Sequence, residues 1–525
     1  MPSLTKVNRS AATLTKNRTE DSISPFSGMC VTCVDGCVGM CEIGKSAYRG
    51  HEVIYPQPFG IITTASEKDY PIDYSHFTIL GTAVGAHGIE ADSDKAIFPN
   101  VKLEQRIGDL KFKLPIMIPG LGSTNVALNN WEGLAIGTAL AGTGLTIGEN
   151  VVGMDVESEI KNGKVVKAPE LERRVKMFQK WQQDGYGVIV LQANVEDTRL
   201  GVQEYGIREL GVEAVELKWG QGAKDIGGEV KIKNLVKAQL LHKRGYVVLP
   251  DPLDENVIKA FEAGAFKEFE RHSRIGMVTE QGFMDRVQEL RDAGAKYVFL
   301  KTGAYRPADL ARAVKYASKA KIDLLTVDGA GGGTGMSPWR MMNEWGIPAV
   351  ELHSLLYQYT NRLAEKGEHV PAIALAGGFT FEDQMYKGLA LGAPFVKLIG
   401  MARGPLAAAM VGKTIGKKID EGLIPVFVER FGSSVEDIFV TAAHIKQKMG
   451  ADTFKEIPTG ALGLYTYFER LAQGLRQLMT GNRKFTLDHI ERDDIAALTK
   501  EAAQVSGITY VMDLDKEAVE KILEG

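Results

Sequence analysis

From residue 114 onward the chain alternates short apolar runs with stretches of helical period. The runs cover residues 114–118, 145–147, 188–191, 214–217, 297–300, 324–327, 372–375 and 395–398. They are short, apolar and rich in β-branched residues, which reads as strands buried on both faces. Each ends in Gly, Lys, Gln or Asp and leads into a helical stretch. These stretches include 132–141, 171–184, 307–320, with Pro307 in its first turn, and 382–391. Repeated βα units of this kind predict a (β/α)8 TIM barrel whose site lies on the loops after the strands. A ninth strand-like run at 246–249 falls between the fourth and fifth, together with the charged stretch 267–274. We read that interval as an insertion over the barrel mouth.

The flanks have different patterns. Residues 1–29 are polar and aperiodic, an arm; 42–110 mix short strands with turns and read as a cap. Beyond about residue 405 the spacing predicts helices without strands, at 435–449, 461–479 and 514–523. The expected organisation is therefore 1–110 for arm, cysteine loop and cap, 111–405 for the barrel, and 406–525 for a helical extension. His51, His76 and His87 receive no role, and Tyr465, Tyr467 and Phe468 are expected to pack.

In a barrel the residues just past each strand meet on one face. Here they are Gly120, Gly122, Ser123, Glu149, Asn150, Gln192, Lys218, Lys301, Asp328, Gly377, Gly378, Gly400, Met401 and Arg403. The sixth strand is the most telling, because it enters LLTVDGAGGGTGMSP over residues 324–338. Gly329, Gly331, Gly332, Gly333 and Gly335 supply backbone freedom, Thr334 a hydroxyl, and Asp328 stands at the strand end. Converging N–H groups bind anions, and the corners after the last three strands of a barrel are where phosphate is held. A phosphorylated cofactor is expected there, with Lys218 and Lys301 facing negative charge on a reduced flavin ring or a substrate carboxylate. The alternatives are a long surface turn and two solvated lysines.

Composition narrows the class. With 44% hydrophobic and 24% charged residues the chain is ordinary for a globular protein, and a net charge of −4 excludes nucleic-acid binding by bulk charge. No membrane-length apolar run and no secretory signal pattern is evident, so a cytoplasmic location is expected. All four cysteines, Cys30, Cys33, Cys37 and Cys41, fall within twelve residues. That C-x2-C-x3-C-x3-C spacing favours an iron–sulfur cluster, of the [4Fe–4S] type, with zinc as the alternative.

Two motifs then resemble a known family. Residues 214–228, AVELKWGQGAKDIGG, are similar to the signature of the FMN-binding synthase domain of glutamate synthase. Gly331 to Pro338, GGGTGMSP, resembles its Asp-Gly-Gly-Thr-Gly-x-Ser-Pro loop. The resemblance implies an FMN- and iron–sulfur-dependent oxidoreductase acting on CH–NH2 donors, which reductively aminates 2-oxoglutarate to glutamate with ammonia. It implies FMN phosphate near Gly332, Gly333, Thr334, Gly377, Gly378, Gly400 and Met401, with Lys301 along the flavin. Gly120, Ser123, Asp328 and Arg403 complete the cofactor set from the strand ends. Glu149, Lys218, Gln221 and Lys224 match the family's positions at flavin and oxo acid.

The chain also departs from that pattern. A glutaminase domain is not expected, since Pro2 stands where a processed nucleophilic cysteine is needed, so ammonia is free or comes from a separate glutaminase subunit. Ferredoxin or another electron-donor subunit is the expected partner, and self-association is left open. The family's three cysteines after the eighth strand are missing from 403–418. Asn150 replaces a glycine and Asp225-Ile226 replace Pro-Gly near the substrate. These changes keep two alternatives in view: a related flavin oxidoreductase for another amino or oxo acid or an N-alkylated glutamate, or a non-catalytic flavin/Fe–S electron-transfer subunit.

Overall fold

The computed structural model describes residues 42–55, 64–223, 228–334 and 337–525. Eight parallel strands close into a barrel, a TIM barrel: β1 (Ile116–Leu121), β2 (Gly144–Ile147), β3 (Val188–Ala193), β4 (Ala214–Lys218), β5 (Tyr297–Thr302), β6 (Leu324–Asp328), β7 (Ala372–Ala376) and β8 (Val396–Gly400). They run around the barrel in chain order, and β8 pairs with β1 to complete it. The eight apolar runs are these strands to within a few residues. The helices α1 (Asn125–Ala141), α2 (Pro169–Trp181), α3 (Pro307–Lys319) and α4 (Glu382–Leu391) follow the first, second, fifth and seventh strands.

Strand alternation sorts the interior into layers. Outward residues such as Leu217, Leu300, Val327, Leu375 and Ile399 pack against the helices. Inward residues begin with Met117, Val190, Ala214, Phe299, Leu324, Ala374 and Leu398. Buried Ile107, Leu110 and Phe112 of a hairpin (Gln105–Ile107 with Leu110–Phe112) pack into that layer. One pleat further along, the inward positions turn polar: Gln192, Glu216, Lys301 and Thr326 are all buried. The barrel is therefore apolar towards one end and charged towards the strand C-termini.

The run at 246–249 is not a ninth barrel strand. Val247–Leu249 belongs to a separate antiparallel sheet with Glu229–Ile232 and Phe269–His272, the last in the middle. This small sheet has its own core of Ile232, Ala238, Leu241, Tyr246, Val248 and Phe269, which is why its sequence looks as buried as a barrel strand.

The C-terminal region differs from expectation in two places. Ile495–Ala497 is a strand, paired antiparallel with Phe77–Ile79 and fully buried, although an all-helical extension was expected. Its three residues are too few to show a period. The stretch 435–449 divides into Val435–Ile438 and Ala442–Met449, the latter preceded by Thr441. The long helices α5 (Arg403–Asp420) and α6 (Thr459–Gly481) pack on α1 through glycines; a Cβ on Gly412 would lie 2.4 Å from the Thr459 carbonyl oxygen. Among the described residues no helix is long and apolar enough to cross a membrane.

Candidate functional site

A cavity of about 1880 Å3 opens at the C-terminal ends of the strands. This exceeds the roughly 300–1,000 Å3 that suits one small ligand, leaving room for a cofactor and a substrate together. Gly120, Ser123, Glu149, Lys218, Gln221, Lys301, Asp328, Gly332, Gly333, Thr334, Gly377, Gly378, Gly400 and Arg403 all line it. Met401 does not: its side chain is fully buried in the main core and its amide donates to the Met117 carbonyl at 2.9 Å. The phase of β8 explains this, since Gly400 faces the cavity and its successor points away. Lys224, Asp225-Ile226 and all four cysteines lie outside the described residues. Among the described residues no cluster of His, Cys, Asp and Glu could hold a metal ion.

The glycine corners are close-packed rather than loose. Gly377 has φ +129°, and a Cβ on it would sit 2.8 Å from the Gly329 carbonyl oxygen. Across the cavity, a Cβ on Gly122 would lie 2.3 Å from the Glu149 carbonyl oxygen. Backbone therefore packs on backbone at both corners, leaving main-chain groups on the cavity wall. Thr64–Ala65 adds a short antiparallel strand to Gly333–Thr334, tying the glycine loop to the N-terminal cap.

Two ion pairs define the electrostatics. Lys301 is buried, with Nζ 3.1 Å from Asp328 Oδ2. Burial alone would lower its ammonium, but Asp328 and Glu216 outweigh that and raise it, so Lys301 stays charged. Glu216 accepts a hydrogen bond from Gln192 Nε2 and, at 3.4 Å, one from Thr326 Oγ1. Burial raises its carboxyl, against the pull of Lys301. Nearer the cavity, Lys218 Nζ donates to Glu149 Oε1 at 2.7 Å.

Two buried side chains at or behind the cavity were not singled out from sequence. Arg271, on the middle strand of the inserted sheet, is buried and lines the cavity; its Nη1 donates to Ser273 Oγ and its Nε finds no partner. It lies in the charged stretch 267–274 of the interval read as an insertion over the barrel mouth, where no single residue stood out. His353 is buried behind the corner between β6 and β7. Its Nδ1 accepts from the Tyr74 hydroxyl at 2.7 Å and its Nε2 donates to the Ala376 carbonyl at 3.1 Å, an arrangement that suits the neutral ring.

Burial pushes His353 down to about 4, against hydrogen bonds to Val327 and Ala376 that act the other way. A histidine lowered in the folded state contributes stability above the unfolded value near 6.5, and that contribution is lost as pH falls towards 4. His353→Asn is therefore expected to remove an acid-side loss of roughly 3 kcal/mol. Denaturant melts of both proteins between pH 7 and pH 4 measure the difference, and parallel curves contradict the assignment.

Residues 271–410 match the family described as a conserved region in glutamate synthase. A glutamate synthase large subunit-like protein, YerD of Bacillus subtilis (strain 168), is 31% identical over 200 residues, 37% of this chain and 33% of that one. An archaeal-type glutamate synthase [NADPH] of Thermotoga sp. (strain RQ2) is 26% identical over 322 residues, covering 61% of this chain and 53% of the relative. The chain thus spans about a third to half the length of these curated relatives. Among solved structures, the flavin-binding domain of baker's yeast flavocytochrome b2 aligns with a TM-score of 0.46 and 12% identity, over 85% of this chain and 81% of that one.

Proposed function

This chain is a relative of the glutamate synthases, and we propose that its barrel binds FMN and reductively aminates 2-oxoglutarate to glutamate with ammonia. The observation that carries the reading is the buried Lys301–Asp328 pair set between glycine corners, beside the Glu149–Lys218 pair, in one cavity. The residues fit the cofactor. Gly332, Gly333, Thr334, Gly377, Gly378 and Gly400 would hold the phosphate, and Lys301 would lie along the ring system. When bound, FMN supplies two-electron hydride chemistry for reducing the imine formed from oxo acid and ammonia.

The chain's own residues bind and orient. Lys218 and Arg271 present positive charge to the substrate carboxylates, and Gln221 adds an amide at the same wall. Glu149 holds the Lys218 ammonium in place and is the candidate proton carrier at the amine. Lys301 keeps its charge in a site shielded from water, so it stabilises negative charge on the reduced ring without reorganising. Electrons would come from ferredoxin or another donor through the N-terminal cysteine cluster.

The glycine corner gives a direct test of cofactor binding. Gly377→Ala places a Cβ at φ +129° against the Gly329 carbonyl, a strain of about 1–3 kcal/mol. FMN affinity is expected to fall roughly tenfold or more, read by flavin fluorescence quenching. Unchanged affinity would remove this corner from the phosphate site.

One observation favours a second substrate. Asn150, standing where the family has glycine, adopts φ +66° and so keeps the glycine-like backbone, but it adds a side-chain amide at the cavity wall, whose Oδ1 accepts from the Tyr246 hydroxyl at 3.4 Å. A related amino or oxo acid, or an N-alkylated glutamate, would use that amide. The reduced protein, mixed anaerobically with 2-oxoglutarate and either ammonia or methylamine, separates the readings by which mixture reoxidises it. If no oxo acid or imine does so, the non-catalytic electron-transfer reading replaces both.

A further inference from the structure

Behind Glu149 lies a buried carboxylate that the reaction above does not use. Asp197, in the helix Val195–Leu200, is buried, and its Oδ2 accepts the Asn150 N–H at 2.8 Å. Asn150 directly follows Glu149 and holds the left-handed conformation, which costs a non-glycine residue on the order of 1 kcal/mol unless something fixes it. Asp197 is what fixes it. Tyr246 supports the same turn from the inserted sheet: its hydroxyl donates to Asn150 Oδ1 at 3.4 Å and sits where a Cβ on Gly153 would be. The Arg271 guanidinium lies 5.0 Å from the centre of the Tyr246 ring.

The charged groups facing Asp197 are few. Glu149 raises its carboxyl and Arg271 lowers it, while Glu196 on the same helix is taken up by Arg274 and Arg199. Tyr246 is neutral, because burial raises its hydroxyl. Both Glu149 and Arg271 line the cavity, so a charge on Asp197 is felt from there.

We propose that Asp197 is the positioning residue of the Glu149–Lys218 pair and the counter-charge of Arg271, and that its ionisation sets the net charge an anionic substrate meets. This rests on the reading of the cavity as an oxo-acid site. With Asp197 protonated, Arg271 keeps Glu196 and Glu149 but loses one of the carboxylates that act on it, and the balance at the cavity shifts towards positive charge. With Asp197 ionised that shift is cancelled. Burial holds its carboxyl up to about 7, so the changeover falls near neutral pH.

The test uses the FMN-loaded full chain with glutarate as the probe anion, bound at pH 6 and pH 8. Wild type is expected to bind glutarate roughly tenfold more weakly at pH 8, the effect of one added charge at a partly buried site. Asp197→Asn keeps an acceptor for the Asn150 N–H but never ionises, so its affinity should match wild type at pH 6 and stay there at pH 8. A merely structural role would leave the pH dependence in place, and either a flat wild-type profile or a retained slope in D197N overturns the charge role. In Asp197→Ala the Asn150 turn loses its acceptor, and acetic anhydride should label Lys218 at least several-fold faster by peptide mass spectrometry; labelling at the wild-type rate overturns the positioning role. If glutarate binds at no pH, the oxo-acid reading and the charge role both fall, while Lys218 labelling still decides positioning.

Discussion

Replacing Lys301 with methionine is expected to strip the chain of bound flavin and to lower its stability by about 3–5 kcal/mol, the usual cost of breaking a buried pair from one side. Lys301 is 5% exposed in its side chain and Asp328 14%, so the carboxylate left behind has little water to turn to. Glu216 lies in the same polar layer and is already held towards its protonated form by burial. In the variant it should take up a proton, which limits the loss but leaves Asp328 uncompensated. Denaturant melts report the stability, and absorption of the purified protein reports the flavin. Lys301→Arg separates charge from shape: it should recover part of the stability and little of the flavin, because the longer planar head does not fit the same position. Wild-type stability in the methionine variant would mean that the pair is solvated and the barrel centre is not the site.

The second large effect is at Lys218. Lys218→Ala removes a cation that faces the substrate carboxylates while leaving the glycine corners intact, so flavin content should stay at the wild-type level. Turnover on the oxo acid should fall by roughly 10²–10³-fold, the size of effect seen when one preorganised donor is removed from a water-excluded site. Glu149→Gln should lower kcat more than it raises KM, since the amide still accepts from Lys218 but no longer carries a proton. Loss of flavin in Lys218→Ala would move this residue from substrate recognition into the cofactor cradle.

The barrel was legible because its strands are buried on both faces, and eight such runs separated by helical stretches leave few other folds. The same property made 246–249 ambiguous, since a small sheet with Phe269 at its centre buries its strands just as well. Periodicity missed Ile495–Ala497 because two of its three residues are alanine. Most of the candidate site could be read from the residues that end each strand. Among the described residues Met401 and Gln192 stand off the cavity wall, Met401 by the phase of a single residue.

What sequence could not supply was tertiary. Arg271 and Asp197 belong to elements outside the strand ends, and nothing local marks either as facing or supporting the cavity. Asn150 read as a departure that put the identity of the substrate in question. Its left-handed backbone instead preserves the glycine conformation, so the change reaches only the side chain. His353 is one of nine histidines, and its role at the β6–β7 corner depends on Tyr74 from a distant part of the chain.

The most direct measurement is the absorption spectrum of the full chain, purified anaerobically, reconstituted with FMN, and followed through reduction and reoxidation. The account predicts stoichiometric flavin, bleached by reductant and restored on adding 2-oxoglutarate with ammonia. A chain that stays colourless after reconstitution with FMN would contradict it.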